Sequence, residues 1–171
     1  MGTAGGRNKG VTMTYDSIYM VCNGLAITGW SLLIVLPRWK WSQRLISAVL
    51  IPLLLGGVYF YLFMLHRGSV EGSFQSLQAL QLLMTNPGFL VAGWVHYLCF
   101  DLFIGAWEVR DANRLGIQHW HIMPCLLFTG LYGPIGLLLY FFIRFIMTRK
   151  IMVGTPGEEI EDEEDNSRLS K

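Results

Sequence analysis

The chain has 171 residues, of which 53% are hydrophobic and 15% charged, with a net charge of +1. That balance excludes a disordered chain and a basic nucleic-acid-binding domain, and it points to a single membrane-embedded unit. Three cysteines, Cys22, Cys99 and Cys125, lie inside apolar stretches. Their odd number and placement suit small apolar residues better than a disulfide framework.

Three runs, Ser17 to Pro37, Leu45 to Leu65 and Ile122 to Ile143, contain no Asp, Glu, Lys, Arg or His, and each has at least twenty-one residues. About 20 suffice to cross the hydrocarbon core as a helix. The runs are continuous rather than alternating, which excludes barrel strands. A fourth segment, Phe89 to Trp107, has nineteen residues and carries His96 and Asp101. The expected fold is therefore all-α, an integral membrane four-helix bundle, with residues 1–15 a polar N-terminal segment, 16–150 the membrane domain and 151–171 an acidic tail. Four full crossings would leave both termini on one side.

Arg7 and Lys9 precede the first span without an apolar stretch, so the N-terminus is no signal peptide. Arg38-Trp39-Lys40-Trp41 follows that span with the amphipathic residues of an interfacial anchor. In the second span, Pro52 and Gly56-Gly57 favour a kink and close helix approach. Ser73 to Met84 sets Phe74, Leu77, Leu80, Leu83 and Met84 against Gln75 and Gln78, the pattern of a short helix lying on the interface between spans two and three. Asn86-Pro87-Gly88 then turns the chain into span three. Span four opens near Pro124 and contains Gly133-Pro134-Ile135-Gly136, where a kink is expected, with small residues against span three and a hydroxyl such as that of Thr129 near Asp101 or Glu108. Basic residues flank the two membrane sides almost equally, so their count sets no orientation.

Span three is the functional candidate, because an Asp near mid-membrane costs roughly 3 kcal/mol and is retained where it faces a protein interior or polar pathway. At 100° per residue, His96, Tyr97, Phe100, Asp101, Glu108 and Asp111 fall within an arc of about 140°, with Arg110 just outside. This polar, aromatic side is expected to face the bundle, and Leu98, Leu102, Val109, Cys99 and Ala106 the lipid. His96 and Asp101 are five residues apart and do not face each other. The seven carboxylates between Glu158 and Asp165 read as a solvated tail, with a larger membrane complex as its candidate partner. His119-Trp120-His121 reads as an interfacial anchor, since its spacing lacks the Glu-x-x-His of a di-iron site, and no metal or cofactor is expected.

The segment from Trp94-Val95-His96-Tyr97 through Phe100-Asp101 to Trp107, then Arg110-Asp111-Ala112, Pro124-Cys125 and Gly133-Pro134-Ile135-Gly136, resembles the abscisic-acid-deficient-four-like family. That family of four-span membrane proteins is named after the plant plastid protein required to make neoxanthin from violaxanthin. The resemblance is strongest from about Ser73 to Arg144. It implies a carotenoid or similar apolar lipid as substrate and an organelle, plastid or mitochondrion, as location.

Opening a ring epoxide to an allene needs an acid at the epoxide oxygen and a base at a nearby carbon, with no redox cofactor. Apolar burial disfavours the charged form of either a carboxyl or an imidazole, which assigns Asp101 as acid and His96 as base. Tyr97, Phe100, Trp94, Tyr132 and Tyr140 would line the substrate groove, and Glu108, Arg110 and Asp111 would supply orienting polar groups. The competing reading is a non-catalytic accessory subunit or assembly factor of an organellar membrane complex, in which the same side chains are interhelical hydrogen-bonding groups.

Overall fold

The structure, a computed structural model, describes residues 4–36, 49–68 and 72–149, with side chains described from residue 14 onward. The interfacial anchor expected at residues 38–41 and the acidic tail lie outside the described residues. Among the described residues there are six α-helices and no strand: α1 Ala4–Val35, α2 Ile51–His66, α3 Leu77–Met84, α4 Pro87–Arg114, α5 His119–Tyr132 and α6 Pro134–Thr148. Two are long and apolar enough to cross a membrane, α4 and the Thr14–Val35 part of α1, while α2 and α6 are shorter apolar helices.

Local chemistry sets the boundaries of the central helix. Asn86 caps α4, its Oδ1 accepting hydrogen bonds from the amides of Gly88 at 2.9 Å and Phe89 at 3.2 Å, and Pro87 occupies the first turn, where no amide partner is needed. Ser76 caps α3 in the same way through the amide of Ala79. The short interfacial helix is present, beginning at Leu77 rather than Ser73.

α4 is the hub, and contacts in register give the direction of each neighbour. Along α1, Tyr19 meets Trp94, Gly29 meets Leu102 and Trp30 meets Gly105, so α1 runs parallel to α4. Along α2, Phe63 meets Phe89, Tyr59 meets His96, and the Cys99 thiol donates to the Pro52 carbonyl, so α2 runs antiparallel. Two glycines let these helices close. A Cβ on Gly88 would strike the His66 imidazole, and one on Gly105 would lie 2.5 Å from the Trp30 ring.

The expected single, kinked fourth span is replaced by a hairpin of two helices. Gly133 has φ +56°, a left-handed conformation that favours glycine, and Pro134 begins a new helix immediately after it. Gly136 packs so closely on Thr129 that a Cβ there would overlap the Thr129 backbone. From this turn the chain goes back the way it came. Gly133 lies against Asp101, whereas Tyr140 and Phe141 pack on Trp107, and Arg144 reaches Asp111. α6 therefore runs with α4, and α5 against it. Helices of 14 and 15 residues extend about 21 and 22 Å, so the hairpin reaches only partway along the 28-residue α4. The start of α1 and the end of α6 consequently lie at opposite ends of α4, not at one end as four full crossings would place them.

The facing of α4 is also corrected. Leu98, Leu102, Ala106 and Val109 are buried, whereas His96 and Phe100 are exposed. The aliphatic side of α4 packs against α1 and α2, because a central helix has neighbours on that side as well as on its polar one. The three cysteines are free, with Cys22 and Cys125 buried, as expected of small apolar residues.

Candidate functional site

Three carboxyl side chains of α4 meet the hairpin at successive heights. Nearest the Arg114 end, Asp111 Oδ2 accepts hydrogen bonds from the Tyr140 hydroxyl at 2.7 Å and from Arg144 Nε at 2.8 Å. Its Oδ1 accepts from Arg114 at 3.2 Å. Arg144 is 1% exposed and Tyr140 fully buried, so α6 is fastened to α4 by a desolvated ionic cluster. One turn earlier, Glu108 is fully buried and its Oε1 accepts from the Thr129 hydroxyl at 2.9 Å. Asp101 is 6% exposed, its carboxyl against Gly133 at the tip of the hairpin. Tyr97 lies four residues before it, one turn away on α4.

Not every polar atom in this arrangement is satisfied. Asp101 Oδ2 and Glu108 Oε2 are buried without a hydrogen-bond partner in the protein. Orphaned carboxyl oxygens are costly in an apolar surrounding, and their retention at a hairpin tip marks this part of the molecule as a candidate site.

Below the hairpin tip the same face of α4 is uncovered. Leu90, Trp94 and Tyr97 precede Asp101 by eleven, seven and four residues, spacings that stack side chains on one face of a helix. With Tyr15, Asp16 and Tyr19 of α1, Met84 at the end of α3 and Pro87 at the start of α4, they line a cavity of about 510 Å³ that also includes Gly93. Trp94 is held in the wall by its indole N–H, which donates to Asn23 at 3.2 Å, and by ring contacts with Tyr19 and Tyr97. A Cβ on Gly93 would meet nothing within 4 Å. Steric crowding therefore does not require glycine here, although glycine in a helix costs roughly 0.5–1 kcal/mol relative to alanine; its effect is to leave the groove empty.

The residues expected to share one site are divided by the structure. Trp94 and Tyr97 line the groove, and Asp101 stands behind Tyr97. His96 lies on another face, its ring against Tyr59 of α2 and Phe100. Tyr132 is 57% exposed, with its ring on Phe128, and Tyr140 belongs to the Asp111 cluster rather than to a groove wall. Arg110 is half-buried. The hydroxyl expected near Glu108 is indeed that of Thr129. His66 was not expected as a buried polar hub: its Nε2 takes the Tyr15 hydroxyl at 2.6 Å and its Nδ1 donates to the Leu62 carbonyl at 2.8 Å. His119 bonds the Ile34 carbonyl, tying α5 to α1. Among the described residues, no three His, Cys, Asp or Glu side chains are grouped so as to hold a metal ion.

An all-helical domain with two membrane-length apolar helices, buried carboxyls on the central one and a helical hairpin against them is a membrane-associated protein with a polar interior. The ABA4-like family model, described as ABA DEFICIENT 4-like, matches residues 17–140, and the chain belongs to that family. No curated protein and no solved structure matches it.

Proposed function

We propose that the protein is a membrane isomerase acting on a carotenoid epoxide or a similar oxygenated apolar lipid in an organellar membrane, with α1, α2 and α4 crossing and α5 and α6 forming a re-entrant hairpin. The observation that supports this reading most is the position of Tyr97, which lines the groove one helical turn from the buried Asp101. A substrate oxygen at Tyr97 would receive a proton from the Tyr97–Asp101 pair. The carbon–oxygen bond of the epoxide breaks, a neighbouring carbon loses its proton to the same pair, and an allene with a new hydroxyl results. Atoms balance without an oxidant, and Asp101 ends as it began. The basic role assigned to His96 from the sequence passes in this proposal to Asp101, because His96 is directed elsewhere.

Saturation of Asp111 by three donors favours the second reading, that carboxyls here fasten helices in an accessory subunit of a plastid or mitochondrial membrane complex. Reconstitution in lipid nanodiscs with a carotenoid epoxide separates the two. The isomerase yields a product of unchanged mass with no added cofactor. A preparation that carries a stoichiometric protein partner through mild detergent and yields no isomer contradicts the enzyme.

A further inference from the structure

We propose that the groove beneath the hairpin admits a neutral, single-chain lipid with its oxygen-bearing end foremost, and that Gly93 is what keeps the groove open to it. This deepens the isomerase reading and rests on it for the identity of the inner end. Three observations carry the proposal. First, among the described residues the lining carries one charged side chain, Asp16, and no Lys or Arg, so these walls offer nothing to a phosphate headgroup. Secondly, polar character is uneven along the length: Leu90, Val91, Gly93 and Trp94 form the middle, and Tyr97, one turn before Asp101, forms the inner end with its hydroxyl. A ligand oxygen delivered there meets a hydrogen-bonding group, whereas a ligand that is alkane throughout leaves that group unmatched. Thirdly, Pro87 to Tyr97 spans about 15 Å of helix, half the hydrocarbon thickness, and the helix in between presents the bare Gly93. That length and a volume of about 510 Å³ suit one chain or the end of one rod. A longer molecule leaves by the mouth between Asp16 and Met84.

The test uses the full chain in nanodiscs and two photoreactive probes, 1-dodecanol carrying a diazirine at its third carbon and the matching dodecyl phosphate. With the oxygen foremost, the alcohol attaches to the Trp94 to Tyr97 segment, about tenfold more than the phosphate does. Gly93→Leu, whose side chain enters open space, should leave helix content unchanged and reduce labelling about tenfold, whereas Gly93→Ala should retain most of it. Equal labelling by both probes, labelling at Asp16 and Met84 instead of Tyr97, or labelling indifferent to Gly93→Leu would each overturn the proposal. The outcome is separable from that of the isomerase reading. Probe capture without turnover of a carotenoid epoxide leaves the groove and removes the enzyme, and turnover that survives Gly93→Leu removes the groove and leaves the enzyme.

Discussion

Asp101→Asn should fold and insert normally and lose turnover by roughly 10² to 10⁴-fold, the range for loss of a general acid or base. The amide is nearly isosteric with the carboxyl and can still meet Tyr97, so the contact between α4 and the hairpin tip is retained while the transferable proton is not. Because Asp101 acts through Tyr97, the loss belongs in kcat with KM nearly unchanged. Asp101→Glu, which restores a proton at a displaced position, should recover part of the rate. Tyr97→Phe should match the Asn variant, since either change interrupts the same transfer. The measurement is isomer formation in nanodiscs together with helix content for each variant. An Asn variant that turns over at the normal rate removes Asp101 from the chemistry, and one that fails to fold assigns it to the architecture.

Arg144→Met should destabilise the protein by about 3–5 kcal/mol, the cost of removing one partner from a buried ion pair. Arg144 is 1% exposed and its Nε lies 2.8 Å from Asp111 Oδ2, so its loss strips a buried carboxylate of its principal counter-charge. Arg114→Ala removes the other cation, which is 34% exposed and one turn away on the same helix, and should cost less than about 1 kcal/mol. The double variant Arg144→Met with Asp111→Leu should recover much of the loss, since neither charge is then left alone. Thermal or denaturant unfolding in detergent reads all three. A cost for Arg114→Ala equal to that for Arg144→Met would mean that the hairpin is not fastened at this cluster.

The extent to which these features can be read from sequence varies by element. Run length identifies the apolar helices, and the polar arc of α4 singles out Asp101, Glu108 and Asp111 as buried, because a charged group in an apolar span has few other places to go. Asn86-Pro87-Gly88 fixes the start of α4 for a local reason, amide capping. The hairpin was hidden because the run from Ile122 to Ile143 is uncharged and as long as a crossing, so its Gly-Pro reads as a kink. What decides for reversal is tertiary: Gly133 in a left-handed conformation, Gly136 against Thr129 and Arg144 seated on Asp111. Arg144 therefore looked like a flanking cation although it is among the most buried side chains. A single-helix wheel shows an arc but not the number of neighbours, so it turned the aliphatic side of α4 to lipid when α1 and α2 occupy that side. The groove was half legible. Trp94 and Tyr97 were expected in it, but Asp16, on another helix, and Gly93, which contributes an absence, leave no periodic signal.

The hairpin is the element that buries Asp101, Glu108 and Asp111 of α4. Side-specific labelling tests it directly, with single cysteines at Ser76, Asn113 and Arg149 in sealed vesicles and a maleimide that does not cross the membrane. Three crossings and a re-entrant hairpin place Asn113 and Arg149 on one side and Ser76 on the other. Labelling of Ser76 and Arg149 together, with Asn113 opposite, is the pattern of four full crossings and would contradict the account.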